Sequence, residues 1–110
     1  MFGLFRKHKP ISMDEAKKQL ACDPSIQVVD VRTAKEYRDG HIPGSINVPM
    51  DRLSHIQQYV PDKHTKLFVY CFSGGHTREA CETLKRIGYH HVTNMGGIAF
   101  WPGKLERSNA

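Results

Sequence analysis

The run Leu67-Phe68-Val69-Tyr70-Cys71 leaves this chain few ways to fold. Successive apolar residues in a strand send side chains to both of its faces. Both faces must then be covered, as they are for a central strand of a parallel sheet. Ser73-Gly74-Gly75 breaks the run sharply. From Thr77 to Ile87, the residues Ala80, Cys81, Leu84 and Ile87 recur at helical spacing, and Gly88 follows where a left-handed cap belongs. The expected unit is a strand over 66–71, a tight glycine-bearing loop and a helix over 77–87.

The same alternation continues upstream and downstream. Ser12-Met13-Asp14-Glu15 is a capping box that opens a helix to about Ala21, before Asp23-Pro24-Ser25. Gln27-Val28-Val29-Asp30-Val31-Arg32 is β-branched and reads as a buried strand. Thr33-Ala34-Lys35-Glu36 is a second capping box, and its short helix ends at Asp39-Gly40. A brief strand fits Ser45 to Val48, a helix with Leu53 and Ile56 on its apolar edge fits 51–59, and a last strand fits 91–94. Strands alternating with helices at short spacing imply an α/β fold, a parallel sheet with helices on both faces. Ligands in such sheets bind at the carboxyl ends of the strands.

A chain of 110 residues is one domain in size, and 39% apolar with 25% charged residues argues against disorder. Lys and Arg outnumber Asp and Glu by 16 to 11, a net charge of +5. Three of those five charges sit on Arg6, Lys7 and Lys9, which leaves +2 for residues 11–110. The basic balance is therefore mostly a tail over residues 1–10. No basic stripe with interleaved aromatics is present, so nucleic acid is not an expected partner. Phe2-Gly3-Leu4-Phe5 followed by those cations has the order of a weak membrane contact and the reverse order of a signal peptide. A solvated terminus is the commoner reading of such a segment.

Cys22, Cys71 and Cys81 are an odd count without C-x-x-C spacing, which speaks against a disulfide framework and a structural zinc site. The seven histidines show no ligand spacing with acidic residues, so no metal is expected. This usage suits a reducing, cytoplasmic setting in which a special cysteine is special for reactivity. Cys71 has that placement. It closes a strand, and the loop amides and the unpaired N–H groups of the following helix can converge on its sulfur and favour the thiolate. Gly74 and Gly75 let the chain bend back over the sulfur.

Cys71-Phe72-Ser73-Gly74-Gly75-His76-Thr77, running into a helix that ends Ile87-Gly88-Tyr89, resembles the active-site segment of single-domain rhodaneses. Val29-Asp30-Val31-Arg32, Glu36-Tyr37 and the stretch from Gly40 to Pro49 are similar to the family's other signature, and Gly96-Gly97-Ile98 with Trp101 resembles its closing motif. The three lie in family order and cover about Ile11 to Lys104, which sets a rhodanese domain at 11–104 and a short tail at 105–110. The resemblance implies a rhodanese-like fold with a five-stranded parallel sheet. It implies sulfurtransferase chemistry too: the Cys71 thiolate takes the outer sulfur of a donor such as thiosulfate and passes it, as a persulfide, to cyanide, a thiol or a partner protein. The amides from Phe72 to Thr77 would cradle the persulfide, with no metal or organic cofactor.

The remaining signature residues have plainer roles. Asp30 and Arg32 end a strand near the site and read as loop ties rather than electrostatic tuners. His41 reads as loop packing, Trp101 as core, Cys81 as inert burial on the apolar face of its helix, and Cys22 as a loop residue with no specific task. Many family members carry arginine five residues after the cysteine, where it helps hold the loop and the donor. This chain has His76 there, with Arg78 two residues further on, so its donor preference is expected to depart from theirs. A phosphatase or arsenate reductase needs a longer C-x5-R loop, and here Thr77 occupies the arginine position. A non-catalytic binding or sulfur-carrier module is the remaining alternative, because fold alone does not fix function.

Overall fold

A computed structural model describes residues 10–108, so the basic tail and its membrane contact lie almost wholly outside the described residues. Ser12 caps helix α1 (Met13–Cys22) by accepting the Glu15 N–H. Strand β1 (Gln27–Asp30) leads to helix α2 (Ala34–Asp39), where both halves of the Thr33/Glu36 capping box are made. Strand β2 (Ser45–Asn47), a 3₁₀ helix (Met50–Gln58), strand β3 (Lys66–Cys71), helix α3 (Thr77–Ile87) and strand β4 (His91–Gly97) follow. No helix of the described residues is long and apolar enough to cross a membrane.

The strands pair in the order β2-β1-β3-β4, all parallel. Four strands are present among the described residues rather than the five implied by the resemblance. Ile11 N–H donates to the Asn94 carbonyl beside β4, at 2.9 Å, but Ser12 already caps α1 and Pro10 has no N–H to give. One bond is too little for a ladder.

Strand β3 is covered on both faces, as its unbroken apolar run requires. Leu67, Val69 and Cys71 pack with Val29, Val31, Leu53, Ile56, Ala80 and Leu84, beneath α3 and the 3₁₀ helix. Phe68 and Tyr70 pack with Met13, Ala16, Val28 and Met95 on the α1 side. The segment read as a helix over 51–59 is 3₁₀ instead. Its two buried residues, Leu53 and Ile56, are three apart, which a turn of three residues aligns on one edge.

From β1 the chain moves outward to β2 and then crosses back to β3 on the other side of β1. The order of strands therefore reverses between β1 and β3, and the crevice between their carboxyl ends is where such a sheet holds ligands.

Candidate active site

Cys71 stands at that crevice, as the last residue of β3 and only 6% exposed. Its Sγ accepts the Gly74 N–H at 2.9 Å and the Thr77 hydroxyl at 2.8 Å. Both donors come from the loop and from the first residue of α3, so the local sequence that breaks the strand also furnishes its partners. Gly74 takes a φ of 93°, which a side chain would resist, whereas Gly75 keeps an ordinary φ and has room for a Cβ. Of the two glycines read as necessary, the bend needs Gly74.

Thr77 is fully buried, and its hydroxyl also lies 3.1 Å from the Gly96 carbonyl. A hydroxyl has one proton to donate. That proton therefore serves either the Cys71 sulfur or the Gly96 carbonyl.

A cavity of about 540 Å³ opens beside the sulfur. Val31, Pro49, Met50 and Phe72 give it apolar lining, and Arg32, Glu36, Asp51 and His76 supply its ionisable side chains. Phe72 is 62% exposed, an unusual state for a large aromatic next to a buried cysteine. His76 occupies the N-cap position of α3 without making a side-chain cap bond, so its ring is not spent on the helix.

Asp30 and Arg32 form a buried ion pair. Arg32 Nη2 lies 2.7 Å from Asp30 Oδ2 and also donates to the Gly40 carbonyl at 2.6 Å, which ties the end of β1 to the end of α2. Arg32 faces the cavity and Asp30 does not. Arg78 lies on the solvent side of α3, with its side chain 71% exposed and 3.6 Å from Glu82, and is not brought to the cavity. His41 stacks on Tyr37 at 3.8 Å between ring centroids and packs the loop. Trp101 packs half-buried against the α1-side core. Cys81 is buried, which pushes its thiol up to about 12, and Cys22 is exposed on the last turn of α1 rather than in a loop, because the helix runs on to the Asp23 cap.

Sequence reasoning gave no site role to Gly97, Glu36, Met50 or Asp51. A Cβ on Gly97 would lie 2.7 Å from the Ser73 carbonyl carbon and 2.8 Å from the Phe72 oxygen, so β4 touches the back of the Cys71 loop there. The glycine pair Gly96-Gly97 was the available signal. Glu36, Met50 and Asp51 reach the cavity from two other crossovers; Glu36 stands out locally only as a capping-box and signature residue, and nothing local marks Met50 or Asp51.

A larger cleft, of about 820 Å³, lies at the amino ends of β3 and β4, with Cys22, Lys66 and His91 in its lining. It is remote from Cys71 along both strands. Among the described residues no group of three or more His, Cys, Asp or Glu is placed to hold a metal ion.

The sequence model of the rhodanese-like domain matches residues 12–103. Thiosulfate sulfurtransferase PspE of Escherichia coli is 39% identical over 71 residues, covering 64% of this chain and 68% of that protein. The putative sulfur carrier protein YrkF of Bacillus subtilis is 30% identical over 97 residues, covering 87% of this chain and 52%, about half, of the relative. Among solved structures, a rhodanese from E. coli with anions superposes with a TM-score of 0.70 at 34% identity, covering 74% of this chain and 98% of that one.

Proposed function

Since the chain belongs to the rhodanese-like domain family, we propose that it is a sulfurtransferase which carries sulfane sulfur as a persulfide on Cys71. The observation that carries this reading is the pair of donors on Sγ, from Gly74 and Thr77, at a strand end that opens into a cavity. Hydrogen bonds of this kind stabilise charge on a sulfur that has to act as an anion.

In the loading step the Cys71 thiolate attacks the outer sulfur of thiosulfate. The new Sγ–S bond forms as the donor's S–S bond breaks, and sulfite leaves with the electron pair. In the discharge step cyanide, a thiol or a thiol on a partner protein takes the outer sulfur, and the Sγ–S electron pair returns to Cys71. The persulfide stays at the same sulfane level throughout, so no redox cofactor or metal takes part. In this reading the amides from Phe72 to Thr77 cradle the outer sulfur, and Arg32 and His76 are the basic side chains in the lining of the cavity. Arg78, exposed on α3 and paired with Glu82, takes no part. In this reading residues 11–104 are the working domain, in a cytoplasmic setting.

The likeness to the putative sulfur carrier protein of B. subtilis supports sulfur carriage as a second reading, in which Cys71 holds sulfur without fast turnover. A cysteine phosphatase gains no support, because Arg78 pairs with Glu82 away from the cavity. The test is thiocyanate formation from thiosulfate and cyanide. Turnover by the native protein and none by Cys71→Ser is expected; turnover that survives Cys71→Ser overturns the proposal. Hydrolysis of an aryl phosphate should match the Cys71→Ser background.

A further inference from the structure

The cavity beside Cys71 is larger than thiosulfate requires and has the volume of a site for a small organic molecule. Its charges are also out of balance. Arg32 is matched by Asp30. Glu36 keeps one carboxylate oxygen on the Thr33 N–H and hydroxyl, and Asp51 is exposed. Among the described residues neither carboxylate is paired with a cation. Arg52, the neighbour of Asp51, does not line the cavity, and among the described residues His76 is the one other ionisable side chain facing it besides Cys71. An anionic acceptor thus meets two carboxylates on its way to the sulfur, and a cationic one meets two partners.

Resting on the persulfide reading above, we propose that the sulfur acceptor is an aminothiol, a thiol whose own skeleton carries an ammonium group a few bonds from the sulfur. Glu36 and Asp51 take the ammonium group, and Val31, Met50 and Phe72 take the carbon chain. The acceptor thiolate attacks the outer sulfur of Cys71–Sγ–SH, and a new S–S bond forms to the acceptor. The Sγ–S bond breaks with its electron pair returning to Sγ as thiolate, and the outer sulfur carries its proton to the acceptor. The product is the acceptor's persulfide, with no oxidant or reductant consumed. The two carboxylates touch the part of the acceptor that does not react, so they set specificity.

The protein is loaded with thiosulfate, freed of excess donor and discharged with cysteamine, mercaptoethanol or thioglycolate, while loss of one sulfur atom is followed by intact mass. Rates are compared per thiolate, to remove differences in thiol acidity. Cysteamine should discharge Cys71 about tenfold faster than thioglycolate, with mercaptoethanol between them. Added salt should narrow the spread. In the double variant Glu36→Gln/Asp51→Asn, where glutamine keeps the capping box and Asp51 is exposed, the spread should shrink to about twofold or less. Equal rates for the three thiols, or the same spread in both proteins, overturn the inference and leave the persulfide reading standing. Failure of thiosulfate to load the native protein removes the persulfide reading, and this inference with it.

Discussion

At the scale of single residues, Thr77 and His76 have different parts in the proposed chemistry. Thr77 gives Cys71 one of its two hydrogen bonds from a buried position. Replacing it with valine removes the hydroxyl at nearly constant volume and leaves the Gly96 carbonyl without that donor. A bond to a charged group is worth about 1.5–3 kcal/mol. Thr77→Val should therefore slow persulfide formation roughly tenfold to a hundredfold. Thr77→Ser, which keeps the donor, should retain most of the rate; single-turnover loading with thiosulfate compares the two. His76 lines the cavity and makes no cap bond. A permanent cation at this position should draw a dianion more firmly. His76→Arg is expected to lower KM for thiosulfate, with a smaller change in kcat, and His76→Ala to raise it. Equal KM values from pH 5.5 to 8.5 would make the side chain a bystander.

Among the elements, β4 and α3 hold the loop from behind. The register of β3 with β4 slips between Val69 and Cys71, and that irregularity brings Gly97 against the loop backbone. In Gly97→Ala the added carbon meets backbone rather than a side chain that can turn aside, so the loop has to move. Loading, measured well below the melting temperature, should fall well over tenfold, and the melting temperature itself should fall by roughly 5–20 °C, since overpacking costs about 1–3 kcal/mol. Equal loading in the two proteins would remove Gly97 from the positioning of the site. In α3, burial pushes the Cys81 thiol up to about 12 from 9.0. Iodoacetamide at pH 8 should label the exposed Cys22 at the end of α1 and spare Cys81 until the chain unfolds. Because the unfolded chain ionises this thiol first, the folded state loses stability as the pH climbs from about 9.0 towards 12. A Cys81→Ala variant should show less of that decline.

Elements with both ends written in the sequence were legible. Thr77–Ile87 was read to the residue because a glycine loop opens it and Gly88 closes it. The short helix after Thr33 was read from its capping box. Where tertiary contact decides, local pattern did not suffice. Strand β4 runs on to Gly97 past the expected Asn94, because pairing with the end of β3 extends it. The 3₁₀ geometry of 50–58 follows from the spacing of two buried residues, which a helical pattern also accommodates. The fifth strand came from family resemblance alone, and Pro10 and the Ser12 cap leave Ile11 to make a single bond.

For the whole molecule, the chain's order through the sheet places the functional region. The crossing from β2 to β3 leaves the carboxyl ends of β1 and β3 without a covering connection between them, and Cys71 lies at that gap. The proposed nucleophile and its loop are contiguous in sequence, so they were legible. Glu36, Met50 and Asp51 are brought to the cavity by separate crossovers, so that wall became visible only once the sheet was assembled. The central claim is that Cys71, through the Gly74 and Thr77 donors, becomes a sulfur-carrying anion. Incubation with thiosulfate followed by intact-mass analysis and peptide mapping tests it most directly. The account predicts a gain of one sulfur atom on the peptide containing Cys71, and its loss to cyanide with release of thiocyanate. No gain in mass, or a gain that persists in Cys71→Ser, would contradict it.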